Sequence, residues 1–405
     1  MTADVTHAAV VPVGGRPVRD TFLPFSPPLL GPEEEAEVID TLRSGWITTG
    51  PKSQRFESDI AAYCHVPHVV AVSSCTAALH LALVALGIGK GDEVITTPFT
   101  FASTAHAILY VGAQPVFVDI VPDTFNIDPA QIEARITPRT RAILPMDYGG
   151  HPCDMDAILD IARRHRLKVV VDAAHSIGAR YKGAPVGTKG DIVCFSFYAT
   201  KNLATGEGGA LLTNDEGLAR RARILTMYGI SDARQIWSER YTPRGSWSYD
   251  VMELGFKYNF TDIQASLGLH QLRKLDGFIA RRREHAATYR RRFAGCDLLR
   301  LPVERDDVQS NHHLFPILLN LDRLRIGRDQ FVDYLKADNI GVSVLWIPLP
   351  EHTLYRGLGA SIDDYPVTRD VWPRLVNLPV SPKATTADIE DAATAVLKIA
   401  QHFAR

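Results

Sequence analysis

The chain has 405 residues, of which 46% are hydrophobic, so it can bury a large core and is long enough for two domains. Its 44 lysines and arginines nearly balance its 46 aspartates and glutamates. This balance gives no support for a nucleic-acid or membrane-surface partner. Two short basic runs, Arg281–Arg283 and Arg290–Arg292, fall in a helical pattern that contains Glu284, and we expect them on a solvated helix face.

Nothing in the sequence indicates export or membrane insertion. The longest apolar stretch, Ala77–Ile88, is interrupted by His80 and is shorter than the ~20 residues that span a bilayer. The amino-terminal residues lack the basic and apolar regions of a signal peptide. The five cysteines are odd in number and scattered, which is typical of reduced thiols, so we expect a cytoplasmic protein.

The first predicted element is a helix that begins at Pro32. Proline suits the first helical position, and the three glutamates after it suit the positive end of the helix dipole. Gly45 is the predicted stop. Residues 1–22 are predicted to form a loose amino-terminal arm.

Short β-rich runs then alternate with helical patterns. The predicted strands are Val69–Ser74, Glu93–Thr97, Pro115–Ile120, Ala142–Met146, Lys168–Asp172, Asp191–Phe197 and Gly209–Thr213. The predicted helices among them are Thr76–Leu86, Asp128–Ile136, Met155–His165 and Glu216–Met227. Nearly all-apolar strands that alternate with helices predict an α/β fold, with a mostly parallel sheet covered on both faces. In such sheets the ligand crevice lies at the carboxyl ends of the strands.

The pattern changes after about Leu275. A long polar helix, Gly277–Arg292, is followed by shorter strands and helices. We therefore expect a large domain over residues 23–275 and a smaller α+β domain over residues 276–405. Cys64, His65 and His68 lie close together, but no second group of ligands follows at a suitable spacing, so no metal site is expected.

A possible anion site follows the first predicted strand. The run Ser73–Ala78 leads from a strand into a helix, where backbone N–H groups and the helix dipole bind phosphate. The same residues also suit an ordinary helix cap, because serine and threonine are favoured there.

An aspartate, Asp172, ends the apolar strand Lys168–Asp172. A buried carboxylate is costly unless a cation or hydrogen-bond donors meet it, and a pyridinium nitrogen would serve as that cation. The alternative is a helix-capping aspartate.

A lysine, Lys201, lies just past the strand Asp191–Phe197, with Tyr198 and Thr200 beside it. Burial there would lower its pKa and free the amine to form an imine. Lys182 and Lys189, in contrast, are predicted to be solvated. The glycines of Thr205–Gly209 indicate a tight turn and no more.

None of these signals is strong alone, but together they fit one ligand. An anion cradle, an acidic partner for a ring nitrogen, a hydroxyl and an imine-forming lysine are what pyridoxal 5'-phosphate (PLP) requires.

Several segments, in this order, resemble the DegT/StrS-type nucleotide-sugar aminotransferases: SSCTAALHLAL, GDEVITTPFTFASTAHAI, VDAAHSIGA, FSFYATKNLATGEGGAL and KYNFTDIQASLGLHQL. The segment SGWITTGPK also resembles this group, and the likeness runs from about Leu23 to the carboxyl end. The resemblance implies a fold-type I PLP enzyme, a homodimer with active sites at the subunit interface. It also implies transfer of an amino group from L-glutamate to a keto group, most often C4, of a nucleotide-linked deoxysugar.

Carried over position by position, the resemblance implies a Schiff base between PLP and Lys201, with Asp172 paired to the ring nitrogen. His175 would lie near the ring or its phenolic oxygen, and Phe101 would stack on the ring face. The residues implied at the phosphate are Thr76, Ala77, Ser196 and, from the partner subunit, Asn259. The residues implied at the sugar are Thr48, Trp46 and Tyr198.

The chain departs from many relatives at Val342–Pro348, where they have a histidine-rich stretch, and this leaves the shape of the sugar pocket open. Related dehydratases replace the lysine with histidine, so retention of Lys201 speaks against that alternative. A non-catalytic regulatory protein is a second alternative, but it would have no reason to bury Asp172 and Lys201. The nucleotide, the sugar and the carbon aminated stay open.

Overall fold

The computed structural model of the protein describes residues 10–231 and 248–405, so residues 1–9 of the predicted arm lie outside the described part. The helices within it are α1 (Pro32–Ser44), α2 (Pro51–Cys64), α3 (Cys75–Ala85), α4 (Ala102–Tyr110), α5 (Met155–His165), α6 (Glu216–Leu225), α7 (Asp262–Arg292), α8 (Arg328–Ala337), α9 (Thr353–Gly357), α10 (Pro366–Val371) and α11 (Thr386–His402).

The strands within it are β1 (His68–Val72), β2 (Glu93–Thr96), β3 (Gln114–Phe117), β4 (Thr140–Ile143), β5 (Lys168–Asp172), β6 (Arg180–Tyr181), β7 (Ala184–Pro185), β8 (Ile192–Ser196), β9 (Gly209–Thr213), β10 (Leu299–Arg300), β11 (Val308–Gln309), β12 (Phe315–Leu319) and β13 (Leu375–Leu378). Each of the predicted strands overlaps one of these.

A seven-stranded sheet in the order β1-β9-β8-β5-β4-β2-β3 forms the centre of the fold. The pairs β8–β5, β5–β4, β4–β2 and β2–β3 are parallel, whereas β9 runs antiparallel to both β1 and β8. The predicted α/β fold with a mostly parallel seven-stranded sheet is confirmed. The carboxyl ends of the parallel strands therefore meet at one edge, which positions the candidate site.

Helices cover both faces of this sheet because its strands are apolar on both faces. On one face Phe56 of α2 and Leu269 of α7 are buried in the core. On the other face Leu79 of α3, Ile108 of α4 and Leu225 of α6 are buried. Each such side chain contributes roughly 2 kcal/mol of hydrophobic free energy.

A second apolar cluster lies around the three-stranded sheet β10-β12-β13, α8 and α11, and includes Phe315, Phe331 and Val396. Helix α7 contacts this cluster through Tyr289, and through Leu275 it also contacts the apolar cluster that contains Phe56 and Leu269. The division into domains at residues 275 and 276 falls inside this helix and stays a prediction.

Helix α7 begins earlier than Gly277, where the sequence pattern placed its start. Thr261 caps the helix: its side chain accepts the N–H of Gln264, and the Gln264 side chain reaches back to the N–H of Thr261. This reciprocal cap fixes the start at Asp262.

The helix predicted over Asp128–Ile136 is wrong. The segment forms two 3₁₀ turns, Pro129–Gln131 and Glu133–Arg135, whose hydrogen bonds run from residue i+3 to residue i. Only Ile132 of this segment is buried, so the segment has no apolar stripe whose packing would stabilise an α-helix.

The prediction of a solvated basic face is wrong for Arg282, which is only 2% exposed. Its Nη1 lies 3.4 Å from the carbonyl oxygen of His312 and 3.3 Å from that of His313, and burial lowers its pKa to about 9. Neighbouring positions on a helix point in different directions, so a run of like charges does not place all its members on one face.

The described part of the arm, residues 10–22, is not loose. The N–H of Val18 donates to Asp338, and Arg19 forms ion pairs of 2.7 Å with Asp388 and Asp391 at the start of α11. Within residues 10–231 and 248–405, no helix combines the length and the apolar character needed to cross a bilayer.

Candidate active site

Asp172 ends β5 at the carboxyl edge of the sheet, and its carboxylate is buried. Its Oδ2 accepts a hydrogen bond of 2.7 Å from Thr104, and its Oδ1 accepts the N–H of Ala174 at 3.1 Å. Burial raises the pKa of Asp172, while these two donors and the charge of Lys201 oppose that rise. The carboxylate is therefore tied in place by donors but lacks a full countercharge.

Lys201 lies in the segment 197–208, which connects β8 to β9. Its backbone N–H donates to the carbonyl oxygen of Tyr198 at 2.8 Å, which closes a turn around it. Burial of the amine lowers the pKa of Lys201 to about 8, although the carboxylate of Asp172 opposes the decrease. At pH 7 about a tenth of the amine is therefore unprotonated and able to act as a nucleophile or base.

The start of α3 lies at the same edge of the sheet. The Ser74 side chain caps the helix by accepting the N–H of Ala77 at 3.1 Å. A Cβ atom on Gly209 would lie 2.5 Å from the backbone carbon of Ser74 and 2.6 Å from the nitrogen of Cys75, so only glycine allows β9 to pass this close. Ser196, paired with Gly209, is brought beside the helix start.

A cavity of about 480 Å³ opens at this edge and gathers most of the predicted site residues. The predicted residues that line it are Lys201, Asp172, His175, Phe101, Thr76, Ser196 and Tyr198. Ala77 is buried in the first turn of α3 and does not line the cavity, and its N–H is used by Ser74.

His175 is buried beside the cavity, and its hydrogen bond fixes its tautomer. Its Nδ1 faces the backbone N–H of Gly149 at 3.3 Å, so Nδ1 is the acceptor. Burial lowers the pKa of His175 well below its usual range, and the Lys201 charge adds to the decrease. The neutral ring therefore carries its proton on Nε2, which is a donor.

Residues remote from the sheet motifs also line the cavity, and sequence reasoning missed them. Trp346 stacks on His175 with ring centres 5.1 Å apart, and it lies 6.1 Å from the half-exposed ring of Phe101. It belongs to Val342–Pro348, the segment that departs from the family pattern. His313 is 4.2 Å from His175, and the adjacent histidines before β12 were an available signal.

The other predicted residues, Trp46, Thr48 and Asn259, form a separate group outside the cavity lining. The indole of Trp46 donates to the carbonyl oxygen of Thr49 at 3.0 Å, and the side chain of Asn259 donates to the Thr49 hydroxyl at 2.8 Å. The backbone carbonyl of Thr48 accepts the N–H of Asp262 at 2.9 Å.

The loop that carries Trp46 and Thr48 is held by the buried carboxylate of Asp262. This carboxylate accepts the backbone N–H groups of Gly50, Lys52 and Ser53 at distances of 2.9 to 3.0 Å. We expect Asp262→Ala to lower the free energy of unfolding by about 3 kcal/mol, because it leaves these donors unpaired. Urea denaturation measures the loss. Asp262→Asn keeps one acceptor oxygen and should lose less, so equal losses in the two variants would contradict this account.

The residues around the cavity fit PLP. A buried carboxylate, a lysine with a lowered pKa, a helix start beside Ser196 and the exposed aromatic ring of Phe101 all face one space. In the described parts of the chain, no group of three or more histidine, cysteine, aspartate or glutamate residues is arranged to hold a metal ion.

The lowered pKa of Lys201 predicts how the cofactor-free protein recovers PLP. Only the neutral amine attacks an aldehyde, so the rate should rise with pH up to about 8 and level off above it. An ordinary lysine, with a pKa of 10.5, would show a rate still rising past pH 9. The growth of the yellow absorption band at a series of pH values measures the rate, and a plateau only near the ordinary value would contradict burial of the amine.

Comparison with known proteins agrees with this geometry. The chain matches the DegT/DnrJ/EryC1/StrS aminotransferase family over residues 28–397. It is 47% identical over 383 residues to the spore coat polysaccharide biosynthesis protein SpsC of Bacillus subtilis. The matched region covers 94% of this chain and 98% of SpsC.

Solved structures agree as well. Spr1654 of Streptococcus pneumoniae, solved in PLP and PMP forms, has a TM-score of 0.88 at 33% identity, covering 94% of this chain and 99% of that one. The sugar aminotransferase CalS13 of Micromonospora echinospora has a TM-score of 0.83 at 32% identity, and the match covers 92% of this chain and 98% of CalS13. The chain therefore belongs to the DegT/DnrJ/EryC1/StrS aminotransferase family and is a PLP-dependent aminotransferase.

Proposed function

We propose that this enzyme moves the amino group of L-glutamate to the C4 keto group of a nucleotide-linked deoxysugar, with PLP bound covalently to Lys201. The observation that carries the proposal is that the buried amine of Lys201 and the buried carboxylate of Asp172 face one cavity. The names of SpsC and CalS13 support a sugar substrate. The nucleotide link and the C4 position rest on the resemblance of the motifs.

The cavity residues would hold PLP at both of its ends. PLP supplies an electron sink for the amino-acid carbon when its ring nitrogen is protonated. The Asp172 carboxylate would keep that proton in place, with an attraction of roughly 4 kcal/mol at about 4 Å and an effective dielectric of 20. Thr76 and Ser196 would hold the phosphate at the start of α3, where N–H groups and the helix dipole favour an anion. Ala77 is not assigned to the phosphate, because its N–H is already used by Ser74.

The remaining cofactor contacts come from the rings beside the cavity. His175 presents a neutral Nε2–H, which would donate to the phenolic oxygen. Phe101 would cover one face of the ring.

Lys201 is the residue proposed to move the proton between the amino-acid carbon and the cofactor. A general base works best when its pKa lies near the operating pH, and burial brings the pKa of Lys201 to about 8. Tyr198 and Trp346 also line the cavity, and we assign them to the sugar side of the site.

A homodimer would complete each site. Trp46, Thr48 and Asn259 lie together but outside the cavity lining of their own chain, which suits residues that serve the site of a partner subunit. Mixing Lys201→Ala subunits with Asn259→Ala subunits tests this arrangement. If the sites are shared, one site of each mixed dimer has both residues intact and activity returns in part. Purely additive, low activity would contradict a shared site.

A cytoplasmic location is also proposed. It is supported by the five cysteines, all of which are free, because reduced thiols are typical of the cytoplasm.

The cofactor assignment is tested by borohydride reduction of the purified yellow protein, followed by peptide mapping. We expect the label on Lys201. Lys182 and Lys189 are internal controls, because both amines are paired with Asp156 at 2.7 Å, away from the cavity. A label on either of them would overturn the assignment.

The reaction is tested by adding L-glutamate alone and then keto sugars linked to dTDP, UDP or GDP. Bleaching of the yellow band with release of oxoglutarate is expected, followed by a 4-amino sugar identified by mass and NMR. Sugar dehydration without oxoglutarate would favour the dehydratase alternative. Absence of both reactions with every sugar would favour a regulatory protein.

A further inference from the structure

The segment 310–314 brings a second histidine, His313, into the wall of the cavity, where it is 4% exposed. The neighbouring Asn311 clamps this segment to the end of β5. Its side-chain nitrogen donates to the carbonyl oxygens of His175 at 2.9 Å and Ile177 at 2.7 Å, and its oxygen accepts the N–H of His313 at 3.0 Å. A Cβ atom on Gly150 would lie 1.8 Å from that oxygen, so the clamp depends on glycine there. The position of the His313 ring is therefore closely fixed.

The proton of His313 is fixed by Asn202, the residue that follows Lys201. The side-chain nitrogen of Asn202 donates to the carbonyl oxygen of Asn311 at 3.3 Å, which turns its Oδ1 toward Nδ1 of His313 at 3.1 Å. Because Oδ1 only accepts, Nδ1 of His313 must be the donor. The neutral ring therefore has a lone pair on Nε2.

The two histidines of the cavity thus have opposite roles. His175 accepts at Nδ1 and donates at Nε2, whereas His313 donates at Nδ1 and accepts at Nε2. Their ring centres are 4.2 Å apart, so two positive charges there would repel strongly. Burial lowers the pKa of His313 well below its usual range, and the charges of Lys201 and Arg282 add to the decrease. Both rings are therefore neutral when the lysine carries its proton.

The ammonium form of Lys201 needs an acceptor in this buried place. The titratable groups that interact with it are Asp172, Cys75, His175 and His313. Both oxygens of Asp172 already accept hydrogen bonds, one from Thr104 and one from the N–H of Ala174. The Cys75 thiol stays protonated, since burial raises its pKa, and the Nε2 of His175 is a donor. Among these groups, His313 alone offers an uncommitted lone pair.

We propose that Nε2 of His313 accepts a hydrogen bond from the protonated Lys201 amine during amino transfer, which makes His313 a positioning residue for the proton shuttle. The inference rests on the proposed role of Lys201. It also explains why Asn202 follows the lysine directly. The turn that presents the Lys201 amine also carries the side chain that fixes the tautomer of His313, the ring that accepts the hydrogen bond from this amine.

Two substitutions separate this role from a structural one. His313→Asn places its amide near the position of Nδ1, so it keeps the bond to Asn202 but has no group at Nε2. His313→Gln places its amide near the position of Nε2, so it restores an acceptor in the cavity. The exposed His352 provides a control in the variant His352→Gln.

The measurement is the pKa of Lys201 in the cofactor-free protein, from the pH dependence of its reaction with trinitrobenzenesulfonate, read on the Lys201 peptide. We expect His313→Asn to lower that pKa by about one unit, because the ammonium loses a charge-assisted hydrogen bond. His313→Gln should retain most of the wild-type value, His352→Gln all of it. Turnover should fall about ten-fold in the asparagine variant and recover with glutamine.

Other outcomes would overturn the proposal. An unchanged pKa in His313→Asn, or equal effects of asparagine and glutamine, would show a structural role. A raised pKa would show that His313 carries a charge. Asn202→Ser, which frees the tautomer, provides a second test if His313→Asn does not fold, and it too should lower the pKa of Lys201. Because the label is read on cofactor-free protein, failure here is distinct from borohydride labelling of another lysine, which would overturn the proposed function instead.

Discussion

Lys201→Ala is expected to lower turnover by at least about a thousand-fold, because it removes both the covalent anchor of the cofactor and the group that moves the proton. The variant should still bind PLP through the residues at the ring nitrogen and the phosphate. We therefore expect bound cofactor that borohydride does not fix to the protein. Steady-state oxoglutarate release and mass spectrometry of the reduced protein measure the two effects.

Added small amines provide a check on this prediction. An amine that enters the cavity should restore part of the proton transfer in Lys201→Ala, in proportion to its concentration. Lys189→Ala is the matched control, since Lys189 pairs with Asp156 and should be dispensable for turnover. Near-normal turnover in Lys201→Ala, or a comparable loss in Lys189→Ala, would remove Lys201 from the proposed mechanism.

Asp172→Asn is expected to keep the fold and lose most of the turnover. The amide is close in shape to the carboxylate and can still accept from Thr104, but it cannot stabilise a positive charge on the ring nitrogen. Losing roughly 4 kcal/mol of attraction corresponds to about three pKa units of the ring nitrogen, so a loss of the order of a thousand-fold in turnover is expected. Glutamate-driven bleaching of the yellow band, followed in single turnovers, should slow by a similar factor.

The variant Asp147→Asn tests whether the loss of turnover expected for Asp172→Asn is specific to Asp172 or follows from losing any buried carboxylate. Asp147 is also buried at the carboxyl edge of the sheet, where burial raises its pKa to about 6. It accepts hydrogen bonds from Ser176 at 2.6 Å and from the N–H of Cys153 at 2.9 Å, and does not line the cavity. We expect Asp147→Asn to reduce stability while leaving the spectrum and turnover nearly intact. Equal kinetic losses in the two variants would contradict the special role of Asp172.

The sequence was informative where one local rule decides the structure. Apolar runs that alternate with helical patterns predicted the central strands, since a buried parallel strand is apolar on both faces. Asp172 and Lys201 could be placed together for the same reason: each follows such a strand, and parallel strands end at one edge. Pro32 and Gly45 bounded α1 correctly because helix ends depend on local backbone chemistry.

Features that depend on contacts between distant segments could not be predicted in this way. His313 and Trp346 reach the cavity from chain positions far beyond the sheet, and no periodic pattern encodes that approach. The burial of Arg282 depends on α7 lying against two apolar clusters at once. Thr104 lies in the FTFAST segment, but only the structure shows that its hydroxyl meets Asp172.

The antiparallel direction of β9 has a consequence for the chemistry of the lysine. Since Ser196 and Gly209 are paired, the segment 197–208 leaves the sheet and returns to it at the same edge. The amine of Lys201 is therefore a reactant tethered at both ends. A short tether holds a group at an effective concentration in the millimolar range or above. In the wild-type enzyme, free amines at micromolar levels cannot compete with the Lys201 amine for the cofactor. An amine added to rescue Lys201→Ala must therefore be supplied at a concentration comparable to the effective concentration of the tethered amine.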